Sequence, residues 1–148
     1  MSFAFVTAER PKSLQSQRKQ DYQERLRQQA RRHMVTQQRL VGDLYAYVVW
    51  FHSQKADGDV DNILKPILDA LNGVVYEDDH QIVKCVAERI NITRRYTLNT
   101  FPTTLNAEVF EDLLQHLGDE QTAHILYIEV GNIGMRFVTF GMIDGAQQ

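Results

Sequence analysis

The sequence predicts a mixed α/β or α+β domain in which one small sheet packs against helices. Runs of β-branched and aromatic residues alternate along the chain with segments of helical periodicity. The chain has 148 residues, 43% of them hydrophobic and 24% charged, which suits one buried core. No internal repeat or low-complexity linker divides it. We therefore expect a single domain over residues 1–148.

The first third of the chain predicts a strand, a basic helix and a second strand. Phe3–Thr7 has the composition of a short strand and is followed by a break at Pro11. Residues 13–34 are rich in Gln, Arg, Lys and Leu, which are good helix formers. Four apolar residues spaced by four form a stripe on this helix that we expect to be buried: Tyr22, Leu26, Ala30 and Met34. Leu44–His52 is β-branched and aromatic, which predicts a largely buried strand.

A second helix is expected after the turn-like residues 55–59, and it should end at Gly73, because glycine suits the position that follows a helix. Five apolar residues fall within an arc of about 140° that we expect to be buried: Ile63, Leu64, Ile67, Leu68 and Leu71. Polar residues occupy the opposite side: Asp61, Lys65 and Asn72, with Asp69 beside them. Pro66 lacks a backbone N–H, so this helix should begin near Asn62 or bend at the proline.

The second half of the chain predicts a strand over residues 81–92, a helix over residues 106–117 and two further strands over residues 124–130 and 135–143. From Phe101 onward, seven acidic residues face Arg136 alone. We expect this acidic stretch to belong to the same domain as the rest of the chain.

Composition excludes three classes of protein. No apolar run approaches the roughly 20 residues that a membrane-spanning helix needs, and the first twelve residues lack the regions of a secretory signal. The single cysteine, Cys85, forms neither an internal disulfide nor a zinc site by itself. We therefore expect a protein of the reducing cytoplasm, and not a membrane protein, a disulfide scaffold or a zinc finger.

The net charge of −3 conceals an uneven distribution. Residues 9–34 carry eight basic groups against three acidic ones. A helix of this composition can contact a polyanion, and it is equally the ordinary solvated face of a polar helix. Both interpretations stay open from charge alone.

Residues 57–79 form an acidic segment with seven carboxylates and one cation, Lys65. Two like charges at about 4 Å repel by roughly 4 kcal/mol at an effective dielectric constant of about 20, so these carboxylates either separate into water or share a cation. In an extended chain, Asp59 and Asp61 project to the same side and can both reach one ion. Ligation by oxygen alone favours magnesium, manganese or calcium.

Other interpretations of this Asp-x-Asp pair are available. An EF-hand starting at Asp57 is excluded, because Asn62 and Leu68 occupy the positions of its glycine and glutamate. Nucleotide-sugar transferases use such a pair, but their fold needs a longer chain. Asp59 or Asp61 alone is explained as a helix N-cap. The joint spacing is more specific, since a lysine follows the second aspartate by four residues and an Asp-Asp pair ends eighteen residues after it.

The segment DVDNILKPILDALNGVVYEDDHQIV, residues 59–83, resembles the core motif of the RusA family of Holliday junction resolvases. A weaker resemblance covers the N-terminal strand, the basic helix and the strand before the motif. The resemblance implies that residues 1–100 are the family core and that residues 101–148 are a divergent acidic part of the same domain. It further implies a small α/β fold, a homodimer, cleavage that depends on Mg²⁺ (with Mn²⁺ as a substitute), and branched DNA, the four-way junction, as substrate.

The resemblance also implies the site residues. The catalytic positions of the family correspond to Asp59, Asp61, Lys65 and Asp79, and the three aspartates would be the metal ligands. Four further residues match motif positions and would support the site: Asn62, Asp69, Asp78 and Gln81. Family members often carry several basic residues just before this motif, whereas here only Lys55 and the titratable His52 precede it.

These residues lead to the hypothesis that water hydrolyses a DNA phosphodiester at this site. Lys65 would stabilise negative charge in the transition state, or would merely pair with Asp69 one helical turn away. Five basic residues are the candidates for contacts to DNA phosphates: Arg18, Lys19, Arg25, Arg32 and Lys55. The alternative is a non-catalytic DNA-binding or prophage accessory protein that keeps the fold without cutting.

Overall fold

The computed structural model describes residues 1–13, 16–56, 58–99, 106–135, 138 and 140–141 of the chain. These residues contain four strands and three α-helices. In chain order the elements are β1 (Ser2–Thr7), α1 (Lys19–His33), β2 (Leu44–His52), α2 (Val60–Leu71), β3 (Ile82–Asn91), α3 (Ala107–Leu117) and β4 (His124–Asn132). A short 3-10 turn, Asp79–Gln81, precedes β3. The arrangement is an α+β fold with one small sheet, as predicted.

The four strands form one mixed sheet in the order β1-β4-β2-β3. β4 is antiparallel to both β1 and β2, whereas β2 and β3 are parallel and are joined through α2. β1, β2 and β3 therefore end at the same edge of the sheet, where β4 begins. We call this edge the carboxyl edge and define it by Thr7, His52, Asn91 and His124.

Helices cover both faces of the sheet. The larger core lies between the sheet and the helices α1 and α2, and it includes the fully buried Trp50 and Phe5. A smaller core lies against α3, where Leu113 packs on Phe51 and its neighbours. The predicted stripe on α1 is confirmed, because all four of its residues are buried: Tyr22, Leu26, Ala30 and Met34. None of the described helices has the length and apolar character needed to cross a membrane.

The first residues of α1 and α2 differ from the prediction. α1 begins at Lys19 and not at residue 13, and residues 14–15 lie outside the described part of the chain. α2 begins at Val60, so Pro66 lies inside the helix, and the carbonyl of Asn62 lacks its usual intrahelical donor. Gly73 follows the end of α2 with a φ of +79°, a left-handed conformation that glycine adopts without strain, as predicted.

The buried face of α2 is rotated slightly from the expected arc. Leu64 and Leu68 are only partly buried, whereas Pro66 and Ala70 are fully packed. The predicted helix over residues 106–117 and the strand over residues 124–130 are confirmed as α3 and β4. Of the strand expected over residues 135–143, positions 136–137, 139 and 142–143 lie outside the described residues.

Candidate functional site

Lys65 is the centre of a charged cluster on the polar face of α2. Its Nζ lies 2.5 Å from Oδ1 of Asp69, one turn further along the helix, and 3.0 Å from Oδ2 of Asp79. The hydrogen bond to Asp69, followed by the one to Asp79, raises the pKa of Lys65 above its ordinary value. The ammonium group therefore stays charged at neutral pH, which excludes Lys65 as a general base and suits it to stabilise negative charge.

Asp79 is held at both carboxylate oxygens. Oδ2 accepts from Lys65, and Oδ1 accepts from Nδ2 of Asn72 at 2.9 Å. Asn72 is the C-cap residue of α2, so the end of the helix positions the carboxylate. The helical periodicity placed Asn72 among the polar residues near Lys65, but no spacing assigned it a function, because its partner lies in a different element.

The turn that carries Asp79 is built by two of the predicted supporting residues. Asp78 caps this turn, since its carboxylate accepts from the backbone N–H of His80 at 2.8 Å. That hydrogen bond is also the main reason that the pKa of Asp78 is lowered from its usual value. Gln81 closes the capping box, because its Oε1 accepts from the backbone N–H groups of Glu77 and Asp78. Its Nε2 donates to backbone carbonyls in the segment before β2, which ties the turn to the sheet.

Asp59 and Asp61 lie at the beginning of α2. Asp59 is the N-cap residue, and its backbone carbonyl accepts from the N–H of Asn62, but its carboxylate caps none of the described N–H groups of the helix. Asp61 lies in the first turn. Both side chains are exposed. The segment is therefore helical from Val60 and is not extended through Asp61 as we had expected, although both carboxylates remain open to a ligand.

The loop before Asp59 is held by Arg89, a residue of β3 that no sequence pattern singled out. Gly58 has a φ of +107°, a conformation that other residues adopt only with strain. Its carbonyl accepts from Nη1 of Arg89 on β3 at 3.0 Å. Arg89 thus joins the end of β3 to the loop that leads into α2. A lone arginine near the end of a strand carries no sequence signal for such a contact.

The cluster at Lys65 and the two aspartates at the start of α2 occupy different parts of the helix. About 20 Å of helix axis separates the N-cap Asp59 from the C-cap Asn72 at 1.5 Å per residue. Asp61 is nearer, one helical turn before Lys65 and on the same side. Among the residues that the structure describes, no group of three or more acidic, histidine or cysteine side chains converges as a metal site.

The donor chemistry at the start of α2 nevertheless fits a hard divalent ion. Mg²⁺ is usually held by one or two carboxylates, with waters and substrate phosphates completing its coordination. Asp59, at the N-cap, and Asp61, in the first turn of α2, offer two exposed carboxylates. Asp79 differs, because Lys65 and Asn72 already occupy its oxygens.

The basic helix α1 packs beside α2. Nε2 of Gln23 donates to the carbonyl of Pro66 at 3.0 Å, and a guanidinium nitrogen of Arg27 lies 3.3 Å from the carbonyl of Asp69. Arg18 and Lys19 lie at the start of α1, Arg32 lies in its exposed last turn, and Lys55 is exposed in the segment between β2 and α2.

Arg25, one of the predicted phosphate contacts, already pairs with a carboxylate. Its Nε lies 2.8 Å from a carboxylate oxygen of Glu9, and this hydrogen bond raises the pKa of Arg25. A phosphate would therefore have to compete with Glu9 for this side chain.

A comparison with known protein families connects these residues. The family model described as endodeoxyribonuclease RusA matches residues 3–99. The match begins in β1, runs through β3 and includes all four residues predicted to be catalytic. It stops before α3 and β4. No curated protein matches the chain.

Proposed function

The chain belongs to the RusA endodeoxyribonuclease family, and from this membership we propose that it resolves four-way DNA junctions by Mg²⁺-dependent hydrolysis of phosphodiester bonds in two strands. The observation that supports the proposal most directly is the ammonium group of Lys65, which Asp69 and Asp79 hold in place. A pure binding protein has no use for acidic groups facing a phosphate, whereas a phosphodiesterase uses both carboxylates and a cation at the reacting group.

Lys65 would act as an electrostatic group and not as a proton acceptor. Its two carboxylate partners keep it charged and limit its rotation. A fixed ammonium group stabilises negative charge that develops on the phosphoryl oxygens, and it does so without the cost of reorganising during the reaction. Asn72 would be a positioning residue, because it orients Asp79, which in turn holds Lys65.

We propose that Asp59, Asp61 and Asp79 hold the metal ion, with Asp59 and Asp61 as the more open ligands. When bound, such an ion would activate the attacking water and stabilise the leaving oxygen. Without the ion, the aspartates would repel the phosphate. The phosphate would therefore approach them only once the ion neutralises their charge. Asp69 would remain the helical partner of Lys65.

The proposal includes a homodimer and a DNA surface. A four-way junction has two equivalent strands to cut, so a protein with two-fold symmetry would place one site at each. Arg18 before α1, the half-buried Lys19 and the exposed Arg32 would contact phosphates beside the site, as would Lys55. Binding should then weaken steeply as the salt concentration rises.

The proposal is tested with Asp61→Asn on labelled four-way junction, fork, duplex and single-stranded DNA, in Mg²⁺ and then in chelator. Mutation of a residue that hydrogen-bonds to a metal ligand typically lowers metal affinity or activity about 10- to 100-fold. Loss of a ligand itself should cost more, so we expect junction cleavage to fall at least about 100-fold. Junction binding should stay the same or tighten, since one repulsive charge is removed.

Glu111→Gln is the matched control, because Glu111 is an exposed carboxylate on α3, on the other face of the sheet. It should cut at the wild-type rate. Cleavage by Asp61→Asn at the wild-type rate would show that the site is assigned wrongly. A wild-type protein that binds junctions but cuts none of the four DNAs in Mg²⁺ would instead be the non-catalytic binder.

A further inference from the structure

A cavity of about 480 Å³ opens at the carboxyl edge, where β2 and β3 end. Its polar lining consists of six side chains: His52, Arg89, Asn91, Arg94, Arg95 and Tyr96. Three of the six are arginines, although the chain as a whole carries a net charge of −3. A cavity of this size and composition suits a bulky anionic group and not only a small monatomic anion.

The fold holds this arginine cavity in place through backbone hydrogen bonds. The N–H of Ile92 donates to the carbonyl of His52 at 3.0 Å, which extends the pairing of β3 with β2. The chain then turns, since the N–H of Arg94 donates to the carbonyl of Asn91 at 3.2 Å. The side chain of Asn91 stabilises the same turn by accepting twice from Thr93. Arg94 and Arg95 therefore project from an ordered turn.

The arginines of the cavity are not neutralised by the part of the chain that the structure describes. Neither Arg94 nor Arg95 makes an ion pair with any described carboxylate, and Arg89 donates to the uncharged carbonyl of Gly58. The positive charge continues along the carboxyl edge, where Arg10 and Lys12 act on the buried His124. The three arginines of the cavity, which pair with none of the described carboxylates, favour a bound anion.

The cavity is adjacent to the start of α2. Arg89 lines the cavity and also holds Gly58, the residue before Asp59. We propose that the cavity binds a backbone phosphate of the DNA strand whose neighbouring phosphate reaches Asp59 and Asp61; this rests on the proposed function. Arginine binds phosphate oxygens through two parallel hydrogen bonds, which lysine does not. The cavity would supply the positive charge that the sequence lacks immediately before Asp59.

The test measures how DNA binding depends on salt. Anisotropy of a labelled four-way junction is recorded in chelator, from 50 to 200 mM salt, for the wild type, Arg94→Ala, Arg95→Ala and the double variant. Loss of this one phosphate contact in the double variant should flatten the slope of log K against log salt concentration by about 0.9 and weaken binding about 8-fold near 0.1 M salt. Lys84→Ala, at the opposite end of β3, removes the same charge and should leave the slope unchanged.

The outcomes separate this inference from the proposed function. A double variant with the slope of Lys84→Ala, in a protein that cuts junctions normally, overturns the phosphate site alone. A flattened slope for the double variant, together with a wild type that cuts no DNA, supports the phosphate site and overturns the proposed nuclease function. The double variant Arg94→Lys with Arg95→Lys keeps both charges and should retain most of the slope, and equal loss in this variant would indicate a folding defect and overturn the assignment.

Discussion

Gln81 offers the most direct test of how the site is built, because one side chain anchors the turn that carries Asp79. Its Oε1 accepts from the backbone N–H groups of Glu77 and Asp78 at 2.9 and 3.1 Å. Its Nε2 donates to the carbonyls of Leu40 and Gly42 at 3.1 and 3.2 Å. Three of the four bonds are exposed, so each contributes near the low end of the usual range, and Gln81→Ala should lower the free energy of unfolding by about 2 kcal/mol.

The two halves of this amide can be separated. Gln81→Glu keeps the acceptor and loses the donor, so it should lose about 1 kcal/mol, half the loss of Gln81→Ala. Urea unfolding followed by fluorescence of Trp50, the one tryptophan of the chain, measures both changes, and the dependence on urea should keep its slope. Gln115→Ala, on the exposed side of α3, should stay within about 0.5 kcal/mol of the wild type. A loss in Gln81→Ala no larger than that of Gln115→Ala would refute the role of Gln81 as an anchor.

Three other outcomes are expected. Lys65→Gln should reduce junction cleavage at least about 100-fold, yet change the free energy of unfolding by about 1 kcal/mol or less, because exposed ion pairs contribute little; cleavage assays and urea unfolding measure the two. Burial, assisted by the nearby charges of Arg10 and His52, lowers the pKa of His124, and Trp50 Nε1 donates to its Nδ1 at 3.1 Å. Folding therefore favours the neutral form of His124, and the resulting stability is present above the ordinary histidine pKa and is lost as the pH falls through the folded-state pKa. Between pH 7.5 and 5.5, the free energy of unfolding measured with urea should fall more for the wild type than for His124→Gln. Gly58→Ala should cost about 1–3 kcal/mol and slow cleavage, whereas Gly134→Ala should do neither, because Gly58 has a positive φ and Gly134 does not.

Local sequence patterns predicted most of the fold. The β-branched run of β2, the four-residue spacing on α1 and the glycine after α2 each reflect a preference of the residues themselves, and each was confirmed. The start of α2 was predicted less well. Pro66 suggested a helix that begins near Asn62 or bends at the proline, and the helix begins at Val60, because its packing on α1 and the sheet outweighs one missing hydrogen bond.

The candidate site was predictable where its residues lie on one element or in one motif. The pair of Lys65 with Asp69 follows from their spacing on a helix. The contact of Asn72 with Asp79 and that of Arg89 with Gly58 join different elements, so no spacing in the sequence reports them. The contact of Asp79 with Lys65 also joins different elements, so the motif alone does not report it.

The place of β4 in the sheet has a consequence for how the protein is made. β4 lies between β1 and β2, although it comes from the part of the chain beyond the family match. When a ribosome has released residues 1–99, every predicted catalytic residue has been synthesised, but β1 and β2 still lack the strand that joins them. The sheet can close only after residues 124–132 have emerged, so the polypeptide gains the predicted catalytic residues before it gains the complete sheet.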